Sequence, residues 1–205
     1  MRKRGDGEGL QAHDREAQGD GRLRVVEDLE AAVAVIREVM GWWHAYYAGH
    51  SRSVGGRGLV LEARGNRLGS VVFYEAKLGS TTLGVIYYVA VKPHYRGQGL
   101  GKILVLSAEE LMNPDLYVST LQSNNTPSRK MFESICYKPY TWSKLEDLSP
   151  MLAEAIYRST CSYEDDLVMI KGSIGEVRLS RDSLKRARRI WDITCYKPWK
   201  RMNPT

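Results

Sequence analysis

The most informative segment of the chain reads Val89-Ala90-Val91-Lys92-Pro93-His94-Tyr95-Arg96-Gly97-Gln98-Gly99-Leu100-Gly101-Lys102. It predicts a strand that stops at the proline, a turn with three alternating glycines, and a helix that begins at the leucine. The first N–H groups of a helix have no internal partner and lie at the positive end of the helix dipole. Glycines remove the Cβ atoms that would keep an anion away from those N–H groups. The segment therefore predicts a loop that binds a diphosphate.

Two familiar phosphate loops do not fit this segment. A Walker A loop needs Gly-x-x-x-x-Gly-Lys-Ser/Thr, whereas the lysine here is followed by Ile103. The dinucleotide fingerprint needs Gly-x-Gly-x-x-Gly, whereas the spacing here is Gly97-x-Gly99-x-Gly101 and no further βαβ repeat follows. A third pattern is Gln/Arg-x-x-Gly-x-Gly/Ala after a strand that ends in Val-x-Pro. It fits at every position, with Arg96 as its first residue.

A second motif follows at the spacing that accompanies this third pattern. It consists of Asn125, then Ser128 three residues on, the aromatic Phe132 seven on, and a strand entry at Tyr137. With both motifs in order, residues 59–140 resemble the GNAT superfamily of acyl-CoA-dependent N-acyltransferases.

The resemblance implies an α/β (mixed α+β) fold, in which a strongly twisted mixed sheet is flanked by helices. The sheet would open where strand Thr81–Val91 parts from strand Leu116–Leu121, and a bulge on the first strand would free backbone groups. Beyond the family's minimal pattern, the sequence predicts helices over residues 144–170 and 181–191 and a last strand over residues 192–199. Residues 143–190 would then form a helical insertion of unknown role between the last two strands.

Residues 1–22 are mostly Gly, Asp, Glu, Gln and Arg, and such a segment buries too little apolar surface to offset the entropy of ordering it. They predict a flexible tail, followed by a single GNAT-like domain over residues 23–205. Three cysteines exclude a disulfide-built secreted scaffold. No apolar run approaches the roughly 20 residues of a membrane span, and no hydrophobic segment follows the basic start. We therefore expect a cytoplasmic protein with no membrane association.

The resemblance also implies how acetyl-CoA would bind. Pantetheine would add to the opened sheet edge through the backbone of Val89, Ala90 and Val91, and the N–H near Val89 would polarise the thioester carbonyl. Pyrophosphate would lie on the amides from Arg96 to Gly101, and Asn125 would hold the pantetheine arm. The expected contacts with acetyl-CoA are Val89, Ala90, Val91, Arg96, Gly97, Gln98, Gly99, Leu100, Gly101, Lys102, Asn125, Ser128 and Phe132. No metal ion is expected.

Two positions depart from the family. Many relatives carry a tyrosine where Phe132 stands, and its hydroxyl protonates the leaving thiolate. Some relatives that acetylate protein N-termini carry a glutamate where Thr120 stands. With the usual acid and base absent, the catalytic candidates are the backbone of Val89 and the hydroxyl of Tyr137. Other residues could take these parts by rough position: Tyr95 or Tyr140 as the acid, and His44, Glu75, Tyr87 or Tyr88 as the base.

The helix predicted after Asp28 has an apolar stripe that includes Trp43 and Tyr47. Trp42 and Tyr46 fall on another face, and we predict that they line the acceptor groove. A second pattern is the repeat of Cys136-Tyr-Lys-Pro at Cys195. It indicates either two strands that pair, with the two cysteines close together, or two similar neighbourhoods, or a coincidence.

The function implied by the resemblance is transfer of an acetyl group from acetyl-CoA to a primary amine, by direct attack in a ternary complex. The acceptor could be a protein N-terminus, a lysine or a small amine, and an oligomer is possible. One alternative is a protein that binds acyl-CoA without turnover. Another is a nucleic-acid-associated protein, since the net charge is +6 and basic residues concentrate in the C-terminal third.

Overall fold

The computed structural model describes residues 22–203, which form seven strands and eight α-helices. The strands are β1 (Arg24–Glu27), β2 (Arg57–Ala63), β3 (Asn66–Lys77), β4 (Thr82–Val91), β5 (Leu116–Leu121), β6 (Lys138–Thr141) and β7 (Leu167–Gly172). The helices are α1 (Leu29–Met40), α2 (Trp42–His50), α3 (Leu100–Glu109), α4 (Thr126–Glu133), α5 (Trp142–Leu148), α6 (Pro150–Thr160), α7 (Arg181–Trp191) and α8 (Lys197–Met202). A π-helical turn, Asp192–Tyr196, joins the last two helices.

The strands form one sheet in the order β1-β2-β3-β4-β5-β7-β6. Neighbouring strands are antiparallel except for β4 and β5, which are parallel. The β2–β3 hairpin turns at Arg64 and Gly65, both with positive φ, as tight hairpin turns require. The mixed sheet flanked by helices confirms the α/β fold expected from the sequence.

Side chains alternate between the two faces of the sheet, so each strand contributes to two cores. Leu59 and Leu61 pack with α3 and α4, whereas Val60 packs with α1 and α2 on the opposite face. Helices α6 and α7 cover the rest of that second face, over the strands β4, β5 and β7. The sheet is thus covered on both faces.

The first predicted helix is divided in two by Gly41. This residue has φ 93° and ψ 170°, a conformation that a helix cannot continue. Helix α1 begins as predicted, because the Asp28 side chain accepts from the Ala31 N–H at 2.9 Å. Helix α2 therefore begins at Trp42, directly after the break.

The sequence prediction for the C-terminal third is wrong in two places. Residues 144–170 are not one helical region. Helix α5 ends at Leu148 and α6 at Thr160, and the apolar run Leu167–Gly172 is the last strand, β7. Residues 192–199 are helical rather than extended, and they pack against α2. Only α5 and α6 therefore lie between the last two strands, while α7 and α8 follow the sheet as a C-terminal extension.

The cysteine pairing expected as one possibility is also wrong. Cys195 is bonded to Cys161, with their Cα atoms 5.7 Å apart, and Cys136 is free and exposed. The disulfide ties the π-helical turn to the end of α6. Residues 1–21 of the predicted tail lie outside the described residues. The division into a tail and one domain therefore stays a prediction.

Candidate functional site

The centre of the sheet opens where β4 and β5 separate. The two strands pair only from Leu83 to Val85 with Leu116 to Val118. On the other side of β4 the register with β3 shifts, since Val72 faces Tyr88 and Phe73 faces Ile86. Tyr87 is therefore the extra residue of a bulge, placed just beyond the last paired residues. The gap and bulge expected in this part of the sheet are both present.

The direction of the peptide groups along β4 follows from its hydrogen bonds. The Lys92 N–H donates to the Leu68 carbonyl on the β3 side at 2.9 Å. Since peptide groups alternate along a strand, those of Ala90 face β3 and those of Val89 and Val91 face the gap. The Val91 carbonyl accordingly accepts from Arg96 Nε at 3.0 Å, away from β3. Val89 thus presents its N–H to the open edge.

The glycine loop lies at the end of the same strand. Gly97 and Gly99 both have φ 77°, which explains the need for glycine, and a Cβ at either would meet nothing within 4 Å. Gly99 is the N-cap of α3, and no side chain caps this helix. The first amides of α3 therefore face open space. Gly101 has a different reason, because a Cβ there would lie 2.8 Å from the sulfur of Met131 on α4.

A cavity of about 970 Å³ extends from this gap. Of the residues expected to contact acetyl-CoA, it brings together Val89, Asn125, Ser128 and Phe132. The Asn125 side chain also caps α4 by accepting from the Ser128 N–H at 3.3 Å. The other expected contacts do not line the cavity and lie along β4, the glycine loop and α3: Ala90, Val91, Arg96, Gly97, Gln98, Gly99, Leu100, Gly101 and Lys102.

Tyr137, expected as a substitute acid, does not line the cavity. Its hydroxyl donates to Glu109 Oε1 at 2.8 Å, and Lys171 contacts the other oxygen of that carboxylate at 2.6 Å. Burial and the neighbouring carboxylate raise the pKa of Tyr137 well above its ordinary value. Its ring packs edge-on against Phe132, with centroids 4.9 Å apart. The structure therefore assigns Tyr137 to the core, where it supports the site from behind.

A carboxylate that the sequence analysis missed, Asp165, lies beside Thr120, where some relatives carry a glutamate. Asp165 lines the cavity, and its Oδ2 accepts from Thr120 Oγ1 at 2.7 Å. Trp142 Nε1 donates to the Asp165 carbonyl at 2.8 Å and fixes the backbone of this loop. Burial raises the pKa of Asp165 above its ordinary value. The sequence signal is the acidic run Glu164 to Asp166 before the apolar strand β7, inside the range 144–170 for which the sequence predicts helix.

The chain can now be compared with known proteins. The model of the acetyltransferase (GNAT) family matches residues 34–136, just over half of the chain. The chain belongs to this family. No curated protein matches the chain in sequence.

Solved structures of GNAT proteins share the fold at low identity. A GNAT-family protein from Desulfovibrio desulfuricans has a TM-score of 0.52 at 13% identity, over 74% of this chain and 99% of its own. A GNAT acetyltransferase from Staphylococcus aureus Mu50 has a TM-score of 0.50 at 12% identity, over 73% and 98%. Arabidopsis thaliana NAA60, solved with a bisubstrate analogue, has a TM-score of 0.50 at 12% identity, over 72% and 97%.

The aromatic residues at the GNAT site differ from those predicted. Trp43 and Tyr47 line the cavity together with Met40, whereas Trp42 and Tyr46 do not. Trp42 is instead 53% exposed. The prediction for Trp42 and Tyr46 is therefore wrong.

Three of the four residues suggested as bases line the cavity, namely His44, Tyr87 and Tyr88. Burial raises the pKa of both tyrosines above the ordinary value, so both are protonated at neutral pH. Glu75 lies elsewhere and accepts from the Asn113 N–H at 2.9 Å. Two carboxylates line the cavity, Glu164 and Asp165, and of these Asp165 bonds to Thr120.

Three further observations concern the basic helix α7, metal binding and membrane spans. Helix α7 carries four basic residues from Lys185 to Arg189, and two of them are paired within the chain, Arg188 with Glu154 at 3.0 Å and Lys185 with Asp182 at 2.9 Å. Residues 22–203 contain no group of side chains that could hold a metal ion. Within the same range, no helix is both long and apolar enough to cross a membrane.

Proposed function

We propose that the protein transfers an acetyl group from acetyl-CoA to a primary amine, by direct attack of the amine in a ternary complex. One observation carries this proposal. The Val89 N–H faces the gap between β4 and β5, and Asp165 lines the cavity that opens from the same gap. A group that can polarise a thioester carbonyl and a group that can receive a proton therefore share one site.

The residues around the gap fit acetyl-CoA. The amides that follow Gly99 would hold the diphosphate, with added positive charge from Arg96 and Lys102. The peptide groups of Val89 and Val91 would bind pantetheine as an added strand, because they face the gap. Asn125 lines the cavity at the position expected for contact with the pantetheine arm.

The proposed reaction needs two protons to leave the ammonium form of the acceptor. Asp165 would accept the first and pass it to solvent, which frees the nitrogen lone pair. The nitrogen then attacks the thioester carbon, and the developing oxyanion is stabilised by the Val89 N–H. The C–N bond forms, the C–S bond breaks, and the second nitrogen proton goes to the departing sulfur. The products are an amide and free CoA.

The absence of a tyrosine at Phe132 is compatible with turnover. A thiol with a pKa of about 8.5 is a fair leaving group without an acid. Holding amine and thioester together can supply about 7–11 kcal/mol of the barrier, whereas a positioned acid typically contributes about 10²- to 10⁴-fold in rate. The larger requirement is removal of the ammonium proton, and Asp165 is placed for that step.

Release of CoA thiol from acetyl-CoA, measured over a panel of amines and peptides, tests the proposal. The proposal expects release that depends on the acceptor, with the acetylated product seen by mass spectrometry. Coenzyme A binding without release over every acceptor would instead favour the acyl-CoA-binding alternative. Neither result would favour a nucleic-acid role, which predicts a salt-dependent gel shift.

One structural feature, the disulfide between Cys161 and Cys195, is relevant to the location of the protein in the cell. Disulfides persist in oxidising compartments and are rare in the cytosol. The Cys161–Cys195 bond therefore weighs against the cytoplasmic location expected from the sequence.

A further inference from the structure

The lining of the cavity beside the gap is acidic and aromatic. It contains two carboxylates, Glu164 and Asp165, and among its described lining residues there is no lysine or arginine. This contrasts with the net charge of +6 for the whole chain. The remaining wall is largely aromatic, with side chains from β4, α2, α4, the loop before β7 and the C-terminal segment: Trp43, Tyr47, Tyr87, Tyr88, Phe132, Tyr163, Trp191, Tyr196 and Trp199.

Three of these rings form a stack on the C-terminal segment. The ring centroids of Trp191 and Tyr196 are 5.2 Å apart with planes inclined by 15°, and those of Tyr196 and Trp199 are 6.3 Å apart with planes inclined by 20°. Tyr196 is 38% exposed, and Trp199, the last ring of the stack, is 45% exposed, so neither ring is fully covered by the rest of the chain. Arg158 already places its guanidinium carbon 4.8 Å from the Trp191 centroid, so this stack accepts a cation.

The stack is held over the site by two links. The Tyr46 hydroxyl of α2 donates to the Pro198 carbonyl at 3.3 Å, and Cys195 is bonded to Cys161, itself a lining residue. The two links therefore hold the rings of Tyr196 and Trp199 at one wall of the cavity, where they can contact the body of a small acceptor.

We infer that the acceptor is a small primary amine with a flat apolar body, bound as its ammonium ion. The ammonium group lies against Asp165 and Glu164, and the body lies against the ring of Trp199 at the end of the stack. This inference rests on the proposed function. It goes further because it predicts that peptides and linear polyamines are poorer acceptors than such an amine.

Kinetics with matched acceptors test the inference. The probes are 2-phenylethylamine, ethylamine without the ring, spermidine without the flat body, and a tetrapeptide with a free α-amino group. We expect kcat/KM for 2-phenylethylamine to exceed each of the others by about tenfold or more, because only this probe gains both the carboxylate and the ring contacts. A higher value for the peptide or for spermidine would overturn the inference.

A binding measurement separates this inference from the proposed activity. The probe is N,N,N-trimethyl-2-phenylethylammonium, which cannot be acetylated, and its neutral analogue is 2-phenylethanol. Calorimetry should show that the cation binds at least about tenfold more tightly than the alcohol. Equal affinity, or no binding of the cation, would overturn the inference even in a protein that releases thiol. If no acceptor releases thiol, this measurement still decides the inference, and only the proposed activity fails.

A pair of tryptophan variants locates the contact. Trp199→Ala should raise the KM for 2-phenylethylamine about tenfold and leave that for ethylamine unchanged. Trp42→Ala removes an equally large exposed side chain outside the cavity and should change neither value. Unchanged coenzyme A affinity shows that the Trp199 variant is folded, and an unchanged KM for 2-phenylethylamine in that folded variant would remove the stack from the site.

Discussion

Thr120 Oγ1 donates to Asp165 Oδ2 at 2.7 Å beside the gap between β4 and β5. Thr120 belongs to β5 and Asp165 to the loop before β7, and these two strands are adjacent and antiparallel. The threonine stands where some relatives carry a glutamate, so the carboxylate reaches the same region from the neighbouring strand. Asp165 lies on a loop, and this hydrogen bond fixes the orientation of its carboxylate.

Asp165→Asn should lower kcat by about 10²- to 10⁴-fold, because the amide cannot accept the ammonium proton. Steady-state thiol release checks this, and calorimetry should show that coenzyme A affinity is unchanged. Asp182→Asn is the matched control, since Asp182 is a hydrogen-bonded aspartate on α7 outside the cavity. A kcat for the Asp165 variant equal to that of the control would remove the proton-transfer role.

The same variant should change the pH dependence of stability. Burial raises the pKa of Asp165 above 3.8 in the folded chain, so the folded state prefers the protonated acid. The contribution of Asp165 to the stability of the folded chain is complete below the ordinary pKa. It is lost as the pH rises through the raised pKa. Asp165→Asn should therefore gain in melting temperature relative to wild type between pH 4 and pH 7.

Asp182 gives the opposite sign. Its hydrogen bond with Lys185 lowers its pKa below 3.8, so its contribution is present above the ordinary pKa and is lost as the pH falls. Asp182→Asn should therefore have a slightly lower melting temperature than the wild type at pH 7. The two melting temperatures should approach each other as the pH falls. Parallel behaviour of the two variants across this pH range would contradict the placement of Asp165 in a buried environment.

Tyr137→Phe should reduce stability without reducing turnover. It removes a buried hydrogen bond to the Glu109 carboxylate, which costs about 1.5–3 kcal/mol for a charged partner. Urea unfolding measures the loss, and Tyr140→Phe is a control with a half-buried tyrosine outside the cavity. A large fall in kcat for Tyr137→Phe alone would restore this residue as the acid.

The Cys161–Cys195 disulfide should stabilise both the fold and the acceptor wall. It closes a segment with a sequence separation of 34, for which chain entropy predicts about 3–4 kcal/mol. The double variant Cys161→Ser/Cys195→Ser should lose stability of this order and show a raised KM for the amine, whereas Cys136→Ser should change neither. Maleimide labelling of the native protein should modify Cys136 alone, and labelling of all three cysteines would contradict the disulfide.

The elements from β2 to α4 follow from the sequence because each has a local signal. Pro93 stops β4, Gly99 takes a positive φ that begins α3, and Asn125 caps α4, so boundaries here depend on single residues. The gap between β4 and β5 was expected only through the family resemblance. No local pattern shows where two parallel strands stop pairing.

The failures lie where tertiary contacts override local preference. Residues 192–199 are rich in β-branched and aromatic types, yet they form helical turns because Cys195 is tied to Cys161 and Pro198 packs beside α2. Asp165 was missed because its role depends on β7 lying next to β5. Neither contact leaves a periodic signal in the sequence, so only the folded chain reveals them.

The proposed function requires that the glycine loop and the opened strand hold coenzyme A. Calorimetric titration of coenzyme A into the wild type, Gly99→Glu and Gly65→Glu tests it most directly. Both glycines have positive φ and open space, so the backbone strain is alike, and only Gly99 lies at the start of α3. The account predicts binding at one site per chain in the wild type and in Gly65→Glu, and loss of binding in Gly99→Glu. No heat with the wild type, or equal affinity in both variants, would contradict it.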